Sequence, residues 1–262
     1  MIIKANGLDL NVEQRGAGAP AFVFLHYWGG SLRTWRHVTD VLERDFRTVA
    51  IDQRGWGRSQ AAPADRYALA DLTDDAMGVI EALALERYII VGHSMGGKVA
   101  QLIASRRPRG LIGLALVAPS PPSPMRLSLE VREGMVNAYD SREAIVATVE
   151  QVLAPGGLSP DDLENLVTDS LRGAPAAKAA WPLATSQEDI TAEVAAIEVP
   201  VIVVSGEDDR VDPPEILRRE LIPRIDTAQL TVLPGVGHLL PLEAPREIAR
   251  LIGTFAASIQ CG

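Results

Sequence analysis

The chain has little that could bind a metal or cross-link itself. Of its 262 residues one is cysteine and four are histidine. A single thiol, Cys261, excludes an internal disulfide. One cysteine with four histidines is a thin supply for a metal cage, so neither metal nor cofactor is expected. Positive charge is also short, 25 Lys and Arg against 34 Asp and Glu, for a formal charge of −9. Such a balance repels phosphate backbones and anionic headgroups and argues against nucleic-acid and membrane partners. No uninterrupted apolar run reaches the roughly 20 residues of a membrane span. The opening MIIKANGLDLNVEQRG has no apolar targeting segment, so the expected location is the cytoplasm. With 47% hydrophobic and 23% charged residues, the composition excludes disordered and collagenous classes and suits one large core, or a core with a small subdomain.

What recurs is a short apolar run, a Gly-bearing turn, then a segment of helical period. Residues 21–25 (AFVFL), 47–51 (RTVAI), 87–91 (RYIIV), 111–117 (LIGLALV), 199–204 (VPVIVV) and 228–233 (AQLTVL) are such runs. Unbroken by charge at their centres, they predict strands of a parallel sheet buried on both faces. The leader 8–13 (LDLNVE) alternates and predicts an antiparallel edge strand. Between the runs, helical stripes join Leu72, Ala76, Ile80 and Leu83, then Val99, Leu102 and Ile103, then Ile248, Leu251, Ile252 and Phe255, the last opened by Pro245. Strands alternating with helices predict a doubly wound α/β sheet.

The alternation breaks once. After Val117 comes the proline cluster APSPPSP, then a long stretch from Met125 to Ile190 with helical composition and no strand-like run. An insertion of this length predicts a helical cap, residues 119–191, over a core formed by 1–118 and 192–262. It should lie over the carboxyl ends of the strands, where open α/β sheets bind ligands.

Gly92-His93-Ser94-Met95-Gly96 follows a predicted strand and opens a predicted helix. In such a turn the serine takes a strained conformation that lifts its hydroxyl above the sheet, and a Cβ two residues to either side would collide with backbone. The plain alternative is a Gly-rich turn with Ser94 as a helix cap. A serine hydroxyl is a poor nucleophile near neutral pH and needs a base. His37 sits in a solvated stretch beside Arg36, His93 points away from its neighbour, and His26 follows the first buried strand. His238, in PGVGHLLPLEAP between the last strand and the last helix, reaches the carboxyl edge of the sheet. A base needs a carboxylate to fix its tautomer. The loop Ser205-Gly-Glu-Asp-Asp-Arg-Val-Asp-Pro213 offers Glu207, Asp208, Asp209 and Asp212, and periodicity does not choose among them.

Together, His26-Tyr-Trp-Gly-Gly30, Asp52-Gln-Arg-Gly-Trp-Gly-Arg-Ser59, Gly92-His-Ser-Met-Gly96, the 206–213 loop and Gly237-His238 resemble the α/β-hydrolase superfamily over nearly the whole chain, in the order Ser, Asp, His. The resemblance implies an α/β-hydrolase fold with catalytic Ser94, His238 and Asp209, with Asp208 as the fallback acid. The family's other position for the acid, just after Val117, holds only Ala, Pro, Ser and Met here. It further implies an oxyanion hole from the backbone N–H groups of Met95 and Trp28. Tyr27 stands where the family usually has glycine, and Asp52 and Arg54 map onto a structural loop.

The chemistry so implied is hydrolysis of a small, partly apolar carboxylic ester or lactone through an acyl-enzyme on Ser94. Ser94 itself argues against relatives that carry aspartate there, the haloalkane dehalogenases and epoxide hydrolases. Tyr27, His93 and Trp181 are candidate pocket residues. Met125, Leu127 and Met135 could line an apolar pocket beside Trp181 or serve as plain core. The rival readings are acyl transfer to peroxide by a cofactor-free perhydrolase or haloperoxidase, carbon–carbon bond hydrolysis with the same three residues, and a small-molecule receptor with vestigial turnover.

Overall fold

The apolar runs become strands because aliphatic and β-branched side chains fit a pleated surface covered on both faces. The computed structural model describes residues 1–260; Cys261, expected to be inert, lies outside them. The strands are β1 (Ile2–Ala5), β2 (Leu8–Arg15), β3 (Ala21–Leu25), β4 (Arg47–Ile51), β5 (Tyr88–His93), β6 (Leu111–Val117), β7 (Val201–Gly206) and β8 (Ala228–Leu233). Helices α1 (Arg36–Leu42), α2 (Leu69–Ala82) and α3 (Met95–Ser105) alternate with them. A helical insertion between β6 and β7 holds α4 (Leu129–Met135), α5 (Arg142–Thr148), α6 (Pro160–Arg172) and α7 (Pro175–Leu183). Beyond β7 come α8 (Pro214–Glu220), α9 (Leu240–Glu243) and α10 (Pro245–Gln260).

The eight strands form one sheet in the order β1-β2-β4-β3-β5-β6-β7-β8. β1 and β2 pair antiparallel, β2 meets β4 antiparallel, and every pairing from β4 onward is parallel. The alternating leader is antiparallel as expected but is not the edge. β1 covers it on one side and β4 on the other. The four residues IIKA are too short a pattern to announce a strand. β8 is the other edge, and its side chains alternate between half-buried and exposed instead of being covered on both faces.

Side chains alternate across the sheet, so β3 sends Val23 and Leu25 into one core and Phe22 and Phe24 into the other. The first core takes Leu72, Ala76 and Ile80 of α2 with Val99 and Ile103 of α3, and the second takes Val38 of α1 with Ile248, Ile252 and Phe255 of α10. From β3 the chain steps to β4 on one side, and from β5 it steps to β6 on the other. The loops leaving β3 and β5 therefore diverge and open a crevice between them at the carboxyl edge. Leu25 pairs with Gly92, which sets His26 level with His93, one residue before Ser94.

The loop after β4 braces that edge. Asp52 accepts hydrogen bonds from the Leu32 N–H (2.6 Å), the Arg58 N–H (2.9 Å) and Asn11 Nδ2 (2.8 Å). Arg54 forks onto Asp75 of α2, with Nε and Nη2 each 2.6 Å from a carboxylate oxygen in a buried pair. Both residues are spent on structure, in line with the loop's implied role.

Candidate active site

Ser94 links β5 to α3 at φ 52°, ψ −115°, a region that L-residues other than glycine rarely enter. The strain is held in place by close backbone packing. A Cβ on Gly92 would come within 2.4 Å of the Gly96 carbonyl oxygen, and one on Gly96 within 2.5 Å of the Leu25 carbonyl oxygen. The Ser94 carbonyl receives the Gly97, Lys98 and Ser120 N–H groups at 2.8, 3.1 and 3.1 Å, which anchors the turn at the start of α3.

His238 Nδ1 lies 2.8 Å from Asp209 Oδ2, with both side chains buried. The other Asp209 oxygen accepts the Val211 and Asp212 N–H groups at 2.8 and 3.0 Å. Burial pushes the Asp209 carboxyl up, but the imidazole and these two N–H groups outweigh it and hold the carboxyl below its ordinary value. Burial likewise works against a charged His238, yet Asp209 holds its pKa above the ordinary histidine value. An ionised Asp209 can only accept, so the proton sits on Nδ1 and Nε2 keeps its lone pair. Of the other acids in this loop, Glu207 and Asp208 are exposed, and Asp212 is buried, its carboxyl bonded to neither His238 nor any other group among the described residues.

His93 ties the two loops together. Its Nε2 lies 2.8 Å from the His238 carbonyl oxygen, and the two rings are 5.2 Å apart between centroids. Burial drives its pKa down to about 3, so it is a neutral donor. Among the described residues the Ser94 hydroxyl and the His238 ring share no hydrogen bond. Hydrogen bonds of this kind are often long or poorly aligned in unliganded sites. Both are closed over, Ser94 at 7% exposure and His238 at 1%. A surface cleft of about 410 Å³ lined by Arg33, Arg58, Asp52 and Asp169 includes none of Ser94, His238 and Asp209.

The loop after β3 is held from both sides. The Tyr27 carbonyl accepts His26 Nδ1–H at 2.7 Å and the Gly30 N–H at 3.1 Å, while His26 Nε2 accepts the Gln53 N–H at 3.0 Å. A peptide is planar and trans, so pinning the Tyr27 carbonyl also fixes the opposite-pointing N–H of Trp28. Among the described residues the N–H groups of Trp28 and Met95 donate to nothing. From the helical insertion, Tyr139 Oη donates to the Trp28 carbonyl at 2.9 Å and Ser170 Oγ to the Gly29 carbonyl at 2.7 Å. In return Trp28 Nε1 donates to the Lys178 carbonyl at 3.1 Å. The insertion also reaches the histidine loop, where the His238 N–H donates to the Leu153 carbonyl at 2.7 Å.

His26 is committed to this brace and has no lone pair to spare for Ser94, and His37 is bonded to Asp162 at the surface. Of the candidate pocket residues, Tyr27 and His93 are buried with their rings 5.2 Å apart, and Trp181 is buried in α7. Met125 and Met135 pack partly buried against the core, and Leu127 is exposed. Sequence reasoning missed Tyr139 and Ser170, which sit 111 and 141 residues from the carbonyls they bind. Among the described residues no group of three or more His, Cys, Asp or Glu side chains could hold a metal ion, and no helix is long and apolar enough to cross a membrane.

A family model described as the alpha/beta hydrolase family matches residues 22–251. The chain is 29% identical over 270 residues to the bifunctional esterase/perhydrolase of Acinetobacter calcoaceticus, across 97% of this chain and 98% of that one. It is also 29% identical over 276 residues to the 2-hydroxy-6-oxo-2,4-heptadienoate hydrolase of Pseudomonas putida, across 98% and 96%. Among solved structures, a thermophilic esterase from Thermogutta terrifontis superposes with a TM-score of 0.86 at 25% identity, over 99% of this chain and 98% of that chain.

Proposed function

The chain belongs to the alpha/beta hydrolase family, and from that premise we propose that it hydrolyses carboxylic esters or lactones of small, partly apolar substrates through an acyl-enzyme on Ser94. The observation that supports this reading is the buried 2.8 Å bond from His238 to Asp209, in a loop whose His238 carbonyl lies 2.8 Å from Nε2 of His93, the residue before the strained Ser94. Ser94 Oγ attacks the carbonyl carbon while His238 Nε2 takes its proton. The oxyanion is received by the Trp28 and Met95 N–H groups, each worth about 10²–10³ in turnover. The proton passes from His238 to the leaving alkoxide, which departs as the alcohol. Water, deprotonated by the same nitrogen, then attacks the acyl carbon, and Ser94 leaves with its proton restored. Residues 119–191 act as a cap over a core of 1–118 and 192–262. Peroxide can replace water in the second half without any new protein group, and the relative named as an esterase/perhydrolase favours that as a secondary activity.

The test is a panel of p-nitrophenyl esters and lactones assayed across pH. Hydrolysis is expected to rise with pH as His238 loses its proton, with the midpoint above the reference value of about 6.5 because Asp209 holds the imidazole's pKa up. A rate flat from about pH 4 to 9 would overturn the role of His238.

The insertion's grip on the Trp28 loop gives a second expectation. Tyr139→Phe leaves the buried Trp28 carbonyl without its donor, so kcat should fall about tenfold, the kinetic equivalent of one neutral hydrogen bond, while KM changes little. A higher KM at unchanged kcat would instead put Tyr139 against the substrate.

A further inference from the structure

Asp212 is the one acid of the loop after β7 that is both buried and unpartnered. It is 7% exposed, its carboxyl makes no hydrogen bond among the described residues, and Oδ2 is fully enclosed. Its backbone N–H is used by Asp209, 3.0 Å away, which fixes Asp212 beside the Asp209–His238 pair. The carboxyl feels the charges of Asp209, His238 and Lys98. Lys98 is the obvious counter-ion, yet among the described residues no ion pair joins the two. Its Nζ donates instead to the Ser123 carbonyl at 3.0 Å and the Ser186 carbonyl at 3.4 Å, on the two arms by which the helical insertion leaves and rejoins the core. The Lys98 backbone N–H in turn holds the Ser94 carbonyl. Asp212 is thus fixed next to Asp209 by its backbone, and its charge couples to His238 and to Lys98, whose ammonium bonds the roots of the insertion.

A carboxyl buried without partners costs several kcal/mol, and a native protein that keeps one has a reason for it, such as a catalytic or ligand-binding role or an ordered water. Asp209 already receives the Asp212 N–H from the backbone, so the loop gains nothing visible from this side chain. We propose that Asp212 forms a polar subsite that hydrogen-bonds a hydroxyl carried by the substrate close to the reacting carbonyl. This rests on the serine-hydrolase reading above and narrows its substrate class to hydroxylated esters or lactones. A hydroxyl fits because it both donates and accepts. Burial and the Asp209 charge push the Asp212 carboxyl up to about 7, so near neutral pH it is present as an acceptor carboxylate and as a donor acid.

The test compares matched esters in the full-length protein: methyl 3-hydroxybutyrate against methyl butyrate for the acyl side, and 2-hydroxyethyl butyrate against ethyl butyrate for the alcohol side. The wild type is expected to favour the hydroxylated member of one pair by at least about tenfold in kcat/KM. Asp212→Val should bring that ratio near one with an equal or higher Tm, because an unpaired buried acid has been removed. Asp212→Asn, which can still bond a hydroxyl, should keep part of the preference. Fluorophosphonate labelling of Ser94 reports whether each variant retains its site. Equal ratios in wild type and Asp212→Val, no preference in either pair, or a lower Tm in both variants would overturn the subsite. A wild type that neither labels nor turns over any of the four esters would instead bring down the serine-hydrolase reading and this inference with it.

Discussion

Ser94→Ala is expected to remove ester turnover almost entirely, by at least about 10⁴-fold and toward the 10⁶-fold that loss of a serine nucleophile can reach. The hydroxyl oxygen is the atom that would form the acyl bond, and without it only the N–H groups of Trp28 and Met95 and substrate binding remain to speed attack by water. The fold should survive. The Ser94 side chain makes no cap hydrogen bond at the start of α3, and the φ of 52° is imposed by the packing around Gly92 and Gly96, which alanine leaves untouched. Thermal unfolding should therefore shift by no more than the ~0.5 kcal/mol typical of a substitution that breaks no contact. Intact-protein mass spectrometry after fluorophosphonate treatment should give one adduct on the wild type and none on the variant. An adduct that persists, or a rate within tenfold of wild type, would mean that another residue is the nucleophile.

The middle of the sheet, β3 to β7, was legible because those strands are buried on both faces and so read as unbroken apolar runs. The runs at 21–25, 47–51, 111–117 and 228–233 match β3, β4, β6 and β8 to the residue. Those at 87–91 and 199–204 are displaced toward the carboxyl edge, to Tyr88–His93 and Val201–Gly206. Pairing there continues into the glycine turns, where apolar patterning has already ended. One-sided burial alone does not hide a strand, since β8 still reads as an apolar run; β1 is hidden because its four residues are too few to show an alternation, and without it β2 reads as the edge.

At the site, local chemistry was legible and long-range geometry was not. Strand, turn glycines and helix within 15 residues of Ser94 carry the signature of its turn. Nothing local distinguishes Asp209 from Asp208, Glu207 or Asp212. The distinction lies in backbone direction: Asp209 turns inward to accept two N–H groups of its own loop and the imidazole from 29 residues away, while Asp208 faces solvent. The hydroxyls of Tyr139 and Ser170 were hidden for the same reason. Their value comes from meeting the loop after β3 in space, and neither sits in a pattern of its own.

That backbone direction also fixes what Asp209→Asn should do, a fall in kcat of about 10⁴-fold with little change in KM. Asparagine matches aspartate in shape but has one oxygen and one NH₂. The position facing the Val211 and Asp212 N–H groups must hold the oxygen, since an NH₂ there would confront two donors. The NH₂ is then turned toward His238 Nδ1, which has to give up its proton and accept. The imidazole proton moves to Nε2, the nitrogen that would receive the Ser94 proton, and the base is lost while every atom stays near its place. Asp208→Asn, at an exposed position without contact to His238, should keep wild-type turnover. If the two substitutions exchange these results, the orienting acid is Asp208, and the loop must rearrange from its present hydrogen-bonded form before it can act.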